Sequence, residues 1–288
     1  MTNPTDDNPP VRVLAEDLVL VDWGPMTLTI SVWDVGKARP VMAAQAARTA
    51  LNCLGTLADF QHFLKKPVHR LPENPNLPIS AGVVHRAFQA AQAVSRELSP
   101  LAAVAGATAD QVAAAAASMG GDRVIVNNGG DIALRLGPTE TAVVGLQHQS
   151  DREYAGRLTV RGETGIGGVA SSGWGGRSHS PGTADLATVW AENAALADAA
   201  ATLLAGETAV DGPEIGCARA CDIDPLSDLG LRPVTVSVDR LKSARKRRAL
   251  ARAAKTARRL HAAGQIRGCC VWIQGDGFAL DPDGILTM

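Results

Sequence analysis

The sequence predicts an α+β fold, a mixed sheet with packed helices, on three observations. Segments with helical spacing and segments with strand character are interspersed without the regular βα alternation of a doubly wound sheet. Glycine and proline cut the apolar runs into short strands. A composition 46% hydrophobic and 20% charged over 288 residues supplies enough apolar chain for a globular core.

The elements follow in order. Residues 1–10 are acidic and proline-rich and read as a disordered tail; residues 11–288 read as one domain. The start lacks the basic and apolar regions of a signal peptide, which predicts a cytoplasmic protein. No uncharged apolar run approaches the roughly 20 residues of a membrane helix, so no span is expected. Between Val11 and Val35, loose alternation broken at Gly24-Pro25 predicts a hairpin. Ala47, Ala50, Leu51, Leu54 and Ala58 have helical spacing and predict a helix over 43–63. Four prolines then mark 66–80 as an extended connection. Helices are expected over 82–97, 107–119 and 192–205, the second so rich in alanine that close packing should bury it. Strands are expected at 123–127, 132–136, 158–160, 188–190, 234–238 and 268–274, with a further one around Val143.

Five cysteines are an odd number for a disulfide framework, and Cys217 and Cys221 lack the spacing of a zinc ribbon. Cys269 and Cys270 belong to an apolar run and read as buried strand residues.

Four segments carry the candidate chemistry. Asn127-Asn128-Gly129-Gly130-Asp131 reads as a hairpin turn, because its residues tolerate positive φ, with ligand contact as the alternative. Residues 162–176 hold seven glycines in fifteen positions. Gly165, Gly167 and Ala170 match a dinucleotide fingerprint formally, but the following Gly173, Gly175, Gly176 and Pro181 leave no room for the required helix. The segment reads either as a surface loop or as an anion wrap using backbone N–H groups, Ser171, Ser172 and the counter-charge Arg177. Asp198 and Thr202 share one helical face and would suit Mg²⁺, but the spacing is common by chance and on its own reads as a solvated Asp and a back-bonded Thr. Arg240 to Arg259 holds ten cations and no acid, leaving 18 basic and 29 acidic residues elsewhere, a net −11. Its apolar stripe Leu250, Ala253, Ala254, Ala257 and Leu260 predicts a helix packed on one side. Its other side is a solvated basic face rather than a nucleic-acid surface.

The order of these segments resembles the ApbE superfamily. The resemblance rests on Pro100 to Asp110, Val126-Asn-Asn-Gly-Gly-Asp-Ile132, Val169-Ala-Ser-Ser-Gly-Trp-Gly-Gly-Arg177, Ala184-Asp-Leu-Ala-Thr-Val189 and Ala197-Asp-Ala-Ala-Ala-Thr202. The stretch Asp224 to Gly230 leading into Pro233-Val-Thr-Val236 resembles a separate branch rather than the FAD:protein FMN transferases proper. The resemblance implies an ApbE-like fold, a transferase acting on a flavin nucleotide (FAD or FMN), Mg²⁺, an acceptor protein and a homodimer. It places metal ligation on Asp198, Thr202 and the backbone carbonyl near Ala109. It places the flavin cleft along Asn128, Gly129, Gly130, Asp131, Ser171, Ser172 and Gly173.

Departures from the transferase pattern qualify that reading. Where the transferases carry Ala-Lys-Gly this chain reads Ala109-Asp110-Gln111, so a cation is replaced by an anion. Where they carry His-Ile-Ile-Asp-Pro, only Arg177-Ser-His179-Ser-Pro-Gly182 is present. Asp110 and His179 are accordingly the candidate acid–base residues, with Asp131 beside them. Gly106-Ala-Thr108 lacks the acid and hydroxyl of a flavinylation acceptor, so self-modification is not expected. Two alternatives keep other chemistry open. The same cleft would take a cyclic or aromatic metabolite, with Trp174 stacking on it or packed down on the fold. Or the chain would be a non-enzymatic scaffold using its basic helix.

Overall fold

The computed structural model describes residues 9–176, 178–225 and 227–288. The tail expected at 1–10 therefore falls largely outside the described residues. Strands and helices are numbered here in chain order. Alternation in Leu18 to Trp23 (β2) and Met26 to Asp34 (β3) turns Val19, Val21, Leu28, Ile30 and Val32 to one face, and all five are buried. β1 (Val11–Ala15) pairs with β2, and the short β4 (Lys37–Ala38) with the end of β3.

From β3 the sheet runs on through β5 (Arg123–Asn128), β6 (Asp131–Leu136), β9 (Gly168–Ser172), β10 (Leu186–Ala191), β13 (Gly268–Ile273) and β14 (Asp276–Leu280). Every one of these pairings is antiparallel. The α+β class is as the sequence predicts, but the sheet is antiparallel where a mixed one was expected.

One face of the sheet carries helices. α1 (Pro40–Asp59) packs on β2 and β3, and α4 (Val104–Ser118) on β5 and β6. α5 (Ala194–Glu207) packs on β9 and β10, and α7 (Ser243–Ala262) on β13 and β14. α3 (Gly82–Val94) lies over α4 and α5, and α2 (Gln61–Leu64) is one further turn. The connection expected at 66–80 contains two short 3₁₀ turns, Val68–Arg70 and Ile79–Ala81.

The opposite face is covered by a small sheet of β7 (Thr141–Gln147), β8 (Tyr154–Arg161) and β15 (Leu286–Thr287). Its inward residues Ala142, Val144, Leu146, Leu158 and Val160 meet Leu134, Leu186, Trp190 and Cys270. A separate two-stranded ribbon, β11 (Ile215–Arg219) with β12 (Pro233–Val238), brackets the short α6 (Ala220–Ile223). Cys269 and Cys270 are buried as expected, and all five cysteines are free thiols. Burial pushes the Cys269 thiol up to about 12 and that of Cys270 to about 11.

The glycine-rich stretch is the largest departure from expectation. A third of it is strand β9, which crosses directly over the start of α5. A Cβ on Gly168 would sit 2.2 Å from the Ala194 nitrogen, and one on Gly167 would sit 2.2 Å from the Glu192 carbonyl oxygen. These glycines exist for backbone approach, not for a loop. Gly106 plays the same part between α4 and α5, where a Cβ would lie 2.2 Å from the Ala194 oxygen. Two backbones in contact cannot give way. Gly106→Ala should therefore cost about 3 kcal/mol or prevent folding. Gly55→Ala, on the exposed side of α1 with no atom within 4 Å, should stabilise by up to about 1 kcal/mol. Urea unfolding of the two variants checks both signs.

Candidate functional site

The site grows from the meeting of α4 and α5. Three N–H groups at the start of α5 need acceptors. Asn193 takes that of Leu196 at 2.9 Å. Asp110, reaching across from α4, takes those of Ala194 at 3.1 Å and Ala195 at 2.9 Å. The start of α4 has no side-chain cap of its own. Its Gly106 N–H donates instead to Asp198 Oδ2 at 3.0 Å, and the Ala105 N–H also bonds to that carboxylate. Each helix thus lends a carboxylate to the other's N-terminus, where the helix dipole favours negative charge.

Asp110 is completely buried, with the Arg135 guanidinium 3.4 Å from Oδ1. Burial raises its pKa, against the lowering pull of the Ala195 and Ala194 N–H groups and then of Arg135. It lines neither cavity described below. The sequence placed it in the cleft as an acid–base group. The structure turns it to the root of α5, so it is a positioning residue.

Beside this junction lies a cavity of about 360 Å³. Asp198 and Thr202 of α5 form part of its wall, with Asn128, Gly129 and Asp131 of the β5–β6 hairpin and Ser171, Ser172 and Gly173 at the end of β9. The two glycine-bearing segments and the Asp–Thr pair do converge. Gly129 and Gly130 form the hairpin turn, with φ of 68° and 112°, and Asn127 Oδ1 accepts the Gly130 N–H at 2.8 Å. The turn and ligand readings of this segment are therefore compatible. Asn128 Nδ2 donates to the Ala105 carbonyl at 3.1 Å, tying the hairpin to the start of α4. Ser171 Oγ and Thr188 Oγ1 lie 2.8 Å apart.

Other expected residues fall elsewhere. Ala109 is fully buried in the middle of α4 and does not line the cavity; the α4 residues on its wall are Val104, Ala105 and Thr108. Gly130 shapes the turn and is not part of the wall. Trp174 donates its indole N–H to Asp185 at 3.0 Å and does not face the cavity. Arg177 lies outside the described residues. The sequence reading missed the apolar wall of Pro25, Met26, Leu54 and Leu57. Leu54 enters the sequence analysis only through its helical spacing and Pro25 only through the hairpin break, and neither signal marks a cavity.

A second cavity of about 590 Å³ adjoins the first. The two share Val104, Ala105, Asp131, Ser178, Asp198 and Thr202, and His179 lines only the second. The carboxylates of Asp131 and Asp198 therefore stand at the junction. Burial, then the neighbouring Asp131 charge, raises Asp198 well above the ordinary aspartate range, against the pull of the Gly106 and Ala105 N–H groups. Two carboxylates and the Thr202 hydroxyl make a hard-oxygen set, and water and phosphate commonly complete such a shell around Mg²⁺. The residues present fit that ion. No group of three or more His, Cys, Asp or Glu suited to a metal occurs among the described residues.

Residues 12–279 match the model of the family described as AbpE bacteria. The chain belongs to that family. A UPF0280 protein of Methanopyrus kandleri is 44% identical over 123 residues, 43% of this chain and 48% of that protein. One of Methanothrix thermoacetophila is 40% identical over 126 residues, 43% and 52% of the two chains. The chain spans about half the length of these curated relatives. Among solved structures, the apo flavinyl transferase ApbE of Pseudomonas stutzeri has a TM-score of 0.44 at 14% identity, covering 88% of this chain and 90% of that one. The flavin transferase ApbE of Vibrio cholerae has a TM-score of 0.33 at 12% identity, covering 76% and 96%.

Two outcomes follow from the capping exchange. Asp110→Ala leaves two buried N–H groups without acceptors and should cost about 3 kcal/mol in urea unfolding. Asp110→Asn, which keeps one acceptor oxygen, should cost less. The second concerns pH. Folded Asp198 keeps its proton to higher pH than the unfolded chain does, so between those two values the folded state binds more protons. Metal-free protein should hold this contribution at acid pH and lose it as pH rises through the elevated value. Thermal unfolding in chelator across pH should show that decline, and Asp198→Asn should flatten it.

Proposed function

We propose that this chain is a divalent-metal-dependent enzyme acting on a flavin nucleotide, with transfer of the FMN moiety of FAD to an acceptor hydroxyl as its specific form. One observation carries the reading: Asp131, Asp198 and Thr202 stand together on the wall shared by two adjoining chambers. The first chamber adds an apolar wall, Met26, Leu54 and Leu57, that suits a planar ring system.

In this reading Asp131, Asp198 and Thr202 hold Mg²⁺, which when bound supplies neutralisation of pyrophosphate charge. Met26, Leu54 and Leu57 exclude water from the ring. The Ser171 and Ser172 hydroxyls and the backbone at Gly173 orient the phosphate oxygens. His179, on the second chamber's wall, receives the proton of the attacking hydroxyl. Asp110 keeps α5, and hence Asp198 and Thr202, in register.

Incubation with FAD and Mg²⁺ should release AMP when an acceptor is supplied. Mg²⁺ should raise the melting temperature of the wild-type chain and not of Asp198→Ala, while Thr202→Val should weaken metal binding about tenfold. Failure of both FAD and FMN to bind with Mg²⁺ present would remove the flavin reading. One observation favours a second reading. Asp110 faces α5, so the cleft lacks the cation that the transferase pattern supplies there. The same chamber would then take a cyclic or aromatic metabolite without flavin transfer, and a thermal-shift ligand screen separates the two.

A further inference from the structure

The second chamber has a chemistry of its own. Its wall carries Lys65, Lys66 and Arg70 from the connection after α2, and Arg232, the residue before β12. None of these four has an ion-pair partner among the described residues. The acids on the same wall are differently placed. Glu97 stands 3.5 Å from His69, Asp228 accepts the Ser99 hydroxyl, and Asp131 and Asp198 lie at the inner junction. Asp224 is the remaining acid of the wall. The chamber thus has carboxylates where it meets the first cavity and, on the rest of its wall, four cations without ion-pair partners among the described residues beside Glu97, Asp224 and Asp228.

Arg232 is set by local structure. Its carbonyl accepts the Ala220 N–H at 3.0 Å and its N–H donates to the Leu229 carbonyl at 3.0 Å, which folds the segment back on α6. The Ser99–Asp228 hydrogen bond ties that segment to the turn preceding α4. Lys65 and Arg70 flank Val68 and His69, whose N–H groups are held by the Leu98 and Arg96 carbonyls at 2.8 and 2.9 Å. The two cationic walls are therefore fixed to the same scaffold. Both chambers, at about 360 and 590 Å³, fall within the size range of small-molecule sites, so each is large enough for its own ligand.

We propose that the second chamber binds a separate small-molecule reactant bearing a phosphate or carboxylate group, its anion held by Lys65, Lys66, Arg70 and Arg232 and its other end directed to the Asp131–Asp198 junction. The four cations without ion-pair partners among the described residues carry the assignment. A molecule with an anionic group at one end is attracted to them, which leaves its other end free to reach the junction. The inference rests on the flavin reading only for the identity of the first reactant.

The test is calorimetric titration of the full chain with inorganic phosphate, alone and after saturation with FAD and Mg²⁺. Arg70→Gln/Arg232→Gln, both surface side chains, should weaken phosphate binding about tenfold and leave FAD affinity unchanged. Phosphate should still bind the FAD-saturated chain. Unchanged phosphate affinity in the double variant, and in Lys65→Gln/Lys66→Gln, would overturn the proposal. So would loss of phosphate binding on FAD saturation, or equal weakening of FAD and phosphate, since the chamber would then hold the far end of the dinucleotide. Absence of flavin binding with phosphate binding intact and sensitive to the arginines would overturn the proposed function and leave this site standing.

Discussion

The exchange of carboxylates between α4 and α5 is the constraint on which the site depends. A helix beginning inside a protein must find acceptors for its first N–H groups, because no water is there to take them. Asp110 serves Ala194 and Ala195, while Asp198 serves Ala105 and Gly106. Neither bond can form unless the helices cross closely, and Gly106 with the alanine surfaces of both helices permits that. Asp198 has two oxygens, and Oδ2 is used by Gly106. The residue can therefore be fixed by the fold and still take part in the wall of both cavities.

Electrostatic cost is concentrated in the same place. Burial, then the neighbouring Asp131 charge, raises the pKa of Asp198. The α5 dipole partly offsets the accumulation of charge, with Asp110 at one end and Arg252 at the other. Arg252 donates to the Glu207 carbonyl at 3.0 and 2.8 Å. The basic helix is thus more than a solvated face. Arg252 satisfies the last turn of α5, Arg245 pairs with Glu214 at 2.7 Å, and Lys246 pairs with Asp276 at 2.5 Å. Ala249, Ala253, Ala257 and Leu260 bury its inner side.

Much of this was legible in the sequence because periodicity is a local property. Helices α1, α3, α4, α5 and α7 and strands β5, β6, β10, β12 and β13 all lie close to the segments that spacing marks out. What spacing cannot show is direction. Asp110 and Asp198 are both acids on alanine-rich helices that cap a neighbouring helix, yet only Asp198 also lines a cavity. Composition misled in the glycine-rich stretch, because Gly167 and Gly168 are required by α5, which begins more than twenty residues later. The cationic wall escaped notice for the same reason. Lys65, Arg70 and Arg232 are distant in sequence, and only the tertiary fold assembles them.

The position of the junction also constrains which chemistry the fold can support. A reactive centre held between two chambers can receive one group from each side, whereas a centre at the end of a blind pocket cannot. Here Met26, Leu54 and Leu57, with Arg152, line the cavity on one side of Asp131 and Asp198, and Lys65, Lys66, Arg70 and Arg232 line the other. Neither set of wall residues supplies the carboxylates that cap α4 and α5, which come from Asp198 and Asp110. The segment carrying Arg232 hangs from the scaffold by a few hydrogen bonds and joins no part of the main sheet. The physical division runs between an α4–α5 core that fixes the carboxylates through its helix caps and peripheral walls, contributed by other segments, that complete the two cavities.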